Sequence, residues 1–243
     1  MKKSIILLLL LSGFVHTVCA QVEENYSDNL LSSSFKLFQA ADFDMANHML
    51  PFIRKRFEKE LKNPDSFTNK YDSLSKYIKI HYAADGLLKT YTWGERSGSC
   101  CYSSATFAQF KTQSGKINYI DLENPEARGP QVFITNLHPI EINNNTFYLL
   151  LGWGSCCGGK HYATARIYQI ADETLVQATA QFNEEDDLLI GANRDQEINL
   201  KYNPDTKILS YNKYKFYNSM GFYAKEKTVV QWKLKKDGFK KMK

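Results

Sequence analysis

The sequence predicts a mainly β protein of the α+β class, with a helical N-terminal segment (residues 21–65) followed by an antiparallel β-meander domain (residues 66–243). Apolar residues first recur at helical spacing, and from about residue 76 they alternate with polar residues as in strands. Short connections rich in Gly, Asn, Asp and Pro are typical of neighbouring antiparallel strands. The pattern leaves three architectures open for the meander: a barrel, a sandwich or a partial propeller-like ring.

The first 20 residues have the three parts of a secretory signal peptide: two lysines, the apolar run Ile5–Leu11 and a Val18–Ala20 cleavage site. The apolar run is shorter than the about 20 residues that a membrane-spanning helix needs. Cys19 is an alternative lipidation site, although His16–Val18 lacks the Leu and small residues usual before such a cysteine. We therefore expect Sec-dependent export of a soluble protein without a membrane span, either to the periplasm or out of the cell.

The net charge and the aromatic content of the chain indicate which classes of molecule the protein binds. Removing the signal, which contains two lysines and no acidic residue, lowers the formal net charge from +5 to +3. This balance is too mild to indicate binding to nucleic acid or to an anionic membrane. Aromatic residues make up 14% of the chain, with many tyrosines, and exposed aromatic rings on a β surface stack against sugars or peptides. A protein or a glycan is therefore a possible ligand, and the alternative is that these rings, including Trp93, Trp153 and Trp232, belong to the core.

Two amphipathic helices are predicted in the N-terminal segment. Asp28 is available as the N-cap of the first helix, and Asp42 or Asp44 as the N-cap of the second. Pro51 lies inside the second pattern, where we expect a kink or a restart. The apolar positions are Leu31, Phe35 and Phe38 in the first helix and Ala46, Leu50, Ile53, Phe57 and Leu61 in the second.

Eleven segments show the alternation or the apolar runs of strands. Phe147–Trp153 is apolar on both faces, so this strand should be central and buried. The predicted strands are Ile78–Tyr82, Leu87–Trp93, Cys101–Phe110, Lys116–Asp121, Gln131–Leu137, Phe147–Trp153, Tyr162–Ile170, Leu175–Phe182, Glu197–Tyr202, Lys207–Tyr214 and Thr228–Leu234.

An internal repeat divides these strands into units. Trp93-Gly94 precedes the pair Cys100-Cys101, and Trp153-Gly154 precedes the pair Cys156-Cys157. The two tryptophans are 60 residues apart. The pattern allows three four-stranded units near residues 76–121, 130–182 and 196–235, each of the size of a propeller blade.

Four motifs carry a resemblance to a family: Asn63–Phe67, Tyr71–Leu74, Asp85–Lys89 and Tyr91–Gly94. The block resembles exported β-rich proteins of unknown function from Bacteroidetes-type bacteria, which often show an Asp-Gly turn, a Tyr-x-Trp strand and a Gly-Gly-Thr-like loop. Here Ser99–Cys101 replaces that loop. The resemblance implies export and a β domain, and it carries no activity or catalytic residues.

The four cysteines that remain after signal removal are expected to form structural disulfides, as is usual for an even number in an exported protein. If the two segments pair antiparallel, Cys100 opposes Cys157 and Cys101 opposes Cys156. Vicinal disulfides within each pair are the alternative. The cysteines with His161 also offer soft ligands for Zn or Cu(I), but the Cys-x-x-Cys spacing of metal and redox sites is absent.

The Gly-rich segment beside the second pair is the candidate ligand loop, formed by Gly158, Gly159, Lys160 and His161. The longer segment from Gly154 to Lys160 fits the G-x-x-x-x-G-K spacing of a phosphate loop. However, His161 stands where Ser or Thr holds magnesium, and a strand follows where a helix is required. The glycine backbone could instead cradle another anion.

No assembled catalytic motif such as H-E-x-x-H or G-x-S-x-G is present. The sequence therefore favours a non-enzymatic exported binding or structural module that is stabilised by disulfides and needs no cofactor. Two alternatives stay open: an exported hydrolase with a site near Cys156–His161, and a metal or thiol-redox protein that uses the paired cysteines.

Overall fold

The computed structural model describes residues 26–95, 103–123, 131–156, 158–183 and 185–242. Helices precede antiparallel sheets, which confirms the predicted mainly β, α+β fold class. The chain divides into a compact unit that ends at Ile78 and a second one that begins at Lys79. The predicted signal peptide lies outside the described residues. Within the described ranges, no helix is long and apolar enough to cross a membrane.

The first unit contains two α-helices, as predicted: α1, helical over 26–40, and α2, Phe43–Leu61. Asp42 caps α2, since its carboxylate accepts a 2.9 Å hydrogen bond from the Met45 N–H. The helix continues through Pro51 without the restart that the sequence suggests. Phe35 and Phe57 meet edge to face at 6.2 Å, so the two apolar stripes pack on each other.

Asp28 does not cap α1, contrary to the prediction. It lies inside the helix, and its carboxylate accepts 2.8 Å hydrogen bonds from the N–H groups of Ser73 and Leu74. It thereby holds the short 3₁₀ helix Leu74–Lys76, while a second 3₁₀ helix, Pro64–Phe67, follows α2. The first N–H groups of a helix need acceptors, and a carboxylate that is distant in the sequence can supply them. The position of Asp28 just before an apolar pattern was therefore not enough to identify the helix that it caps.

The second unit consists of three antiparallel meander sheets. The first sheet contains β1 (Lys79–Tyr82), β2 (Leu88–Glu95), β3 (Ser103–Lys111) and β4 (Ile117–Asp121). The middle sheet contains β5 (Phe133–Ile142), β6 (Asn145–Cys156), β7 (Lys160–Ala171), β8 (Thr174–Gln177) and β9 (Asp187–Asn193). The third sheet contains β10 (Lys201–Asn203), β11 (Ile208–Tyr217), β12 (Phe222–Lys235) and β13 (Gly238–Lys241). The first sheet lies within the predicted unit 76–121, whereas the middle and third sheets extend beyond the predicted units 130–182 and 196–235 through β9 and β13.

The middle sheet has a hydrophobic core on each face. Tyr148 and Leu150 of β6 belong to a core shared with the first sheet. Their neighbours Leu149 and Leu151 belong to a core shared with the third sheet. Alternate side chains of a strand point to opposite faces, so the continuous apolar run of β6 is explained by burial on both sides. The prediction of a central, buried strand is confirmed.

The sheets follow one another as stacked layers, and no sheet closes into a barrel among the residues that the structure describes. Two strands were not predicted. β9 pairs with β7 and extends the middle sheet. β13 pairs with β12 and buries Phe239 completely, in a lysine-rich segment beyond the last predicted strand.

Candidate ligand-binding groove

A groove of about 570 Å³ separates β9 of the middle sheet from β11 of the third sheet. One wall is Leu188–Gly191 of β9, and the opposite wall includes Tyr211 and Tyr214 of β11. Trp232 of β12 and Lys241 of β13 also line it. The volume lies within the range of sites that hold small molecules or a few residues of a peptide. We refer to this feature as the β9 groove.

The β9 strand forms its wall with an open edge. All seven residues of β9 pair with β7, from Asp187 opposite Arg166 to Asn193 opposite Lys160. In the described part of the chain, no other strand pairs with β9. Consecutive residues of β9 line the groove, although their side chains alternate between faces. This is the arrangement expected when the backbone edge itself borders the groove.

The walls combine aromatic rings with positive charge. Lys213, Lys215 and Lys241 line the groove, and Glu185 is the one carboxylate among its described lining residues. Burial raises the pKa of Tyr211, and the nearby indole N–H of Trp232 lowers it in part. The groove therefore favours a ligand that has apolar groups and negative charge.

Trp232 leaves a hydrogen-bond donor unused at the groove. The residue is 6% exposed, and its Nε1 has no acceptor in hydrogen-bonding geometry among the described atoms. Because this atom is enclosed as well as unpaired, it destabilises the fold locally and is not open to a ligand in the groove.

One end of the groove is closed by a contact between the two sheets. The side-chain amide of Asn193 forms two hydrogen bonds with the backbone of Tyr223. Its Nδ2 donates to the Tyr223 carbonyl at 2.9 Å, and its Oδ1 accepts from the Tyr223 N–H at 3.1 Å. The Tyr223 hydroxyl lies directly over Gly191, where a Cβ atom would collide with it. A residue with a Cβ atom at 191 would therefore force the Tyr223 ring to move.

The predicted ligand loop reaches the groove through one residue. Gly158 and Gly159 form the β6–β7 turn with positive φ angles of 73° and 67°, and space is open around both. The Lys160 ammonium lies 5.2 Å from the ring centre of Phe216, and Phe216 lines the groove. Lys160 thus borders the β9 groove, whereas the two glycines shape the turn.

His161 is held by both of its ring nitrogens. Its Nδ1 accepts a 3.0 Å hydrogen bond from the Trp153 indole, and its Nε2 pairs with the Gln196 carbonyl at 2.8 Å. Because an indole N–H only donates, Nδ1 is unprotonated and Nε2 donates to the carbonyl. Neither nitrogen is left to exchange a proton with a substrate, so this geometry gives a hydrolase no support at His161.

The structure does not describe the side chains of the four cysteines that are predicted to form disulfides. Cys100, Cys101 and Cys157 lie outside the described residues, and Cys156 is described only as the last backbone position of β6. Among the described residues, no cluster of His, Cys, Asp and Glu could hold a metal ion.

A second polar cluster is buried between the first and middle sheets. Arg166 of β7 and Glu123 are 6% and 7% exposed. Arg166 Nη1 lies 3.7 Å from Glu123 Oε1, and its Nε lies 3.6 Å from Asp187 Oδ2. Burial raises the pKa of Glu123 to about 7, although Arg166 acts to lower it. The cluster is enclosed, so we assign it a structural role.

Comparison with protein-family models, with curated proteins and with solved structures found no match to this chain. The resemblance stated above therefore stays a prediction. Sequence reasoning also missed the groove, because it did not recognise β9. The available signal was the apolar run Leu188–Ala192, which is bounded by acidic residues on one side and by Asn193–Asp195 on the other.

Proposed function

We propose that this protein is an exported, non-enzymatic binding module that holds its ligand in the β9 groove. The observation that carries this proposal is the open strand edge facing a wall of aromatic rings and lysines. Large aromatic side chains that remain partly accessible are the usual anchors of binding sites.

Exposed apolar residues beside the groove support the same function. Phe216 is 41% exposed and Leu189 is 58% exposed, and both line the groove. Both side chains keep apolar surface in contact with water, so the free protein does not gain the free energy of burying that surface. A bound ligand that covers them would recover part of this free energy.

A pair of matched variants tests the function without assuming a ligand class. The mature protein and its Phe216→Ala and Phe222→Ala variants are applied to peptide and glycan arrays. We expect at least one class of probe to bind the unaltered protein and the Phe222→Ala variant, with about tenfold weaker binding to Phe216→Ala. Phe222 is 58% exposed and does not line the groove, so it controls for loss of an exposed ring.

Two results contradict the proposal. In the first, no probe binds the unaltered protein. In the second, probes bind all three proteins equally, which would place the binding surface elsewhere.

We also infer that Cys100, Cys101, Cys156 and Cys157 form two structural disulfides in the exported protein, each contributing about 2–4 kcal/mol. The intact mass of denatured protein from an oxidising compartment should then rise by about four hydrogens on reduction. A mass that reduction leaves unchanged, with four thiols open to alkylation, would exclude the disulfides.

A further inference from the structure

Over Leu188–Ile190 the open edge of β9 has no Lys, Pro or bulge, and the contacts of Tyr223 with Gly191 and Asn193 cover only the end of the strand. Natural edge strands carry Lys, Pro, a bulge or a covering loop, since their free N–H and C=O groups otherwise recruit other chains. The groove segment of β9 is Leu188-Leu189-Ile190-Gly191, and its pairing with β7 is continuous over seven residues without a bulge. An edge this regular and apolar is suited to accept another strand.

The length and volume of the β9 groove suit a short extended peptide. Four residues of β9 line the groove, and four residues of a strand span about 13 Å. The tyrosine contact at Gly191 and the Asn193 pairing close one end. A peptide that adds a strand obtains its affinity from main-chain hydrogen bonds and its specificity from alternate side chains.

The charge of the groove selects among extended peptides. In the part of the chain that the structure describes, Lys213, Lys215 and Lys241 form no ion pair. Lys213 pairs with Thr228 of β12, and Lys215 lies at the register shift between Tyr214 and Phe216 with its ammonium 5.3 Å from the Tyr217 ring centre. Both line the groove.

Resting on the proposed binding function, we propose that the ligand is an extended acidic segment of a protein that adds to the open edge of β9. Its backbone pairs with β9, its apolar residues cover Leu189 and Phe216, and its carboxylates face Lys213 and Lys215. A glycan would match the charge and the aromatic rings but would not use the backbone edge.

Binding of defined probes to the mature protein tests this inference by fluorescence anisotropy at about 0.15 M salt. The first probe is a labelled peptide of alternating Glu and Val residues. Two further probes carry N-methyl groups on either the odd or the even residues, which removes one row of N–H donors. A Lys-Val peptide and an oligogalacturonate test charge sign and ligand class.

We expect the Glu-Val peptide to bind and the Lys-Val peptide to bind at least about tenfold more weakly. One N-methylated peptide should lose at least about tenfold in affinity and the other should keep it, because only one edge of an added strand faces β9. Lys213→Glu/Lys215→Glu should raise the Kd for Glu-Val at least about tenfold. The matched Lys225→Glu/Lys227→Glu change, on β12 outside the groove, should raise it less than about threefold.

The outcomes separate this inference from the proposed function. Equal binding of Glu-Val and Lys-Val peptides overturns the acidic specificity. Equal binding of both N-methylated peptides overturns strand addition, and tight binding of the oligogalacturonate alone overturns a protein ligand. In each of these cases a Phe216-dependent array signal would leave the β9 groove as the binding site. Loss of that signal as well would remove both proposals.

Discussion

Replacing Phe239 with alanine is expected to lower the free energy of unfolding by about 3–5 kcal/mol, the usual cost of removing a fully buried phenylalanine. The Phe239 ring is stacked on Phe182 at 5.2 Å and meets Tyr202 edge to face at 5.9 Å. All three belong to the core between the middle and third sheets. The truncation would leave a cavity that the paired strands around it cannot fill. Urea denaturation followed by circular dichroism measures the change.

Phe222→Ala is the control for this prediction. Phe222 is 58% exposed, so its loss should change the free energy of unfolding by less than about 0.5 kcal/mol. If Phe239→Ala were as mild as the control, the C-terminal segment would not be docked on the third sheet, and β13 would have to be abandoned.

Phe239 also shows why the last strand, β13, was not predicted. Lysines dominate the sequence around it, and this composition is typical of a solvated tail. The pairing of Gly238–Lys241 with β12 buries one aromatic ring and leaves the lysines exposed. A four-residue strand contains too little alternation to be recognised locally, and only the preceding long strand β12 gives it a place to pair.

The elements with strong local patterns were predicted well. Phe147–Trp153 lies within β6, and the alternation of Tyr162–Ile170 lies within β7. The order of apolar and polar residues along each of these strands shows which of its faces are buried. Each strand can therefore be predicted from its own segment of sequence. Leu175–Phe182 was extended too far, because only Thr174–Gln177 pairs as β8.

The groove could not be predicted in the same way. Its walls come from β9 and β11, which belong to different sheets. Their separation depends on how two sheets pack, and no local pattern encodes that distance. Sequence reasoning did place Lys160 in the ligand loop, and the structure puts its ammonium over Phe216 at the groove. The sequence indicated a lysine beside a glycine turn, but it did not indicate which ring the lysine contacts.

Replacing Arg166 with methionine should lower the free energy of unfolding by about 1.4 kcal/mol more at pH 8 than at pH 4, because it removes the positive charge that stabilises the buried Glu123 carboxylate. Glu123 is 7% exposed, and its Oε1 has no hydrogen-bond donor among the described residues other than the nearby Arg166 charge at 3.7 Å. Methionine has a similar length and no charge, so the change mainly removes the electrostatic partner. Chemical denaturation at several pH values measures it.

The pH dependence identifies Glu123 as the cause. In the unaltered protein, the Glu123 pKa is raised from 4.5 to about 7 by burial, so the folded state binds a proton more strongly than the unfolded state. Its contribution to stability is therefore full below pH 4.5 and is lost as the pH rises to about 7. Without Arg166, the charge that lowers this pKa is gone, and the loss continues above pH 7. The variant should thus be close to the unaltered protein at about pH 4 and less stable by about 1.4 kcal/mol at about pH 8, the free energy of ionising at that pH a group with a pKa of about 7.

The double variant Glu123→Gln/Arg166→Met is the decisive comparison. With neither charge buried, it should regain most of the stability at pH 8, since uncharged residues of similar volume often replace a buried ion pair at little cost. It should also lose the pH dependence assigned to Glu123. If Arg166→Met were equally destabilising at both pH values, or if the double variant were as unstable as the single one, Arg166 would act through packing or through Asp187. The ionised carboxylate of Glu123 would then not be the group that Arg166 stabilises.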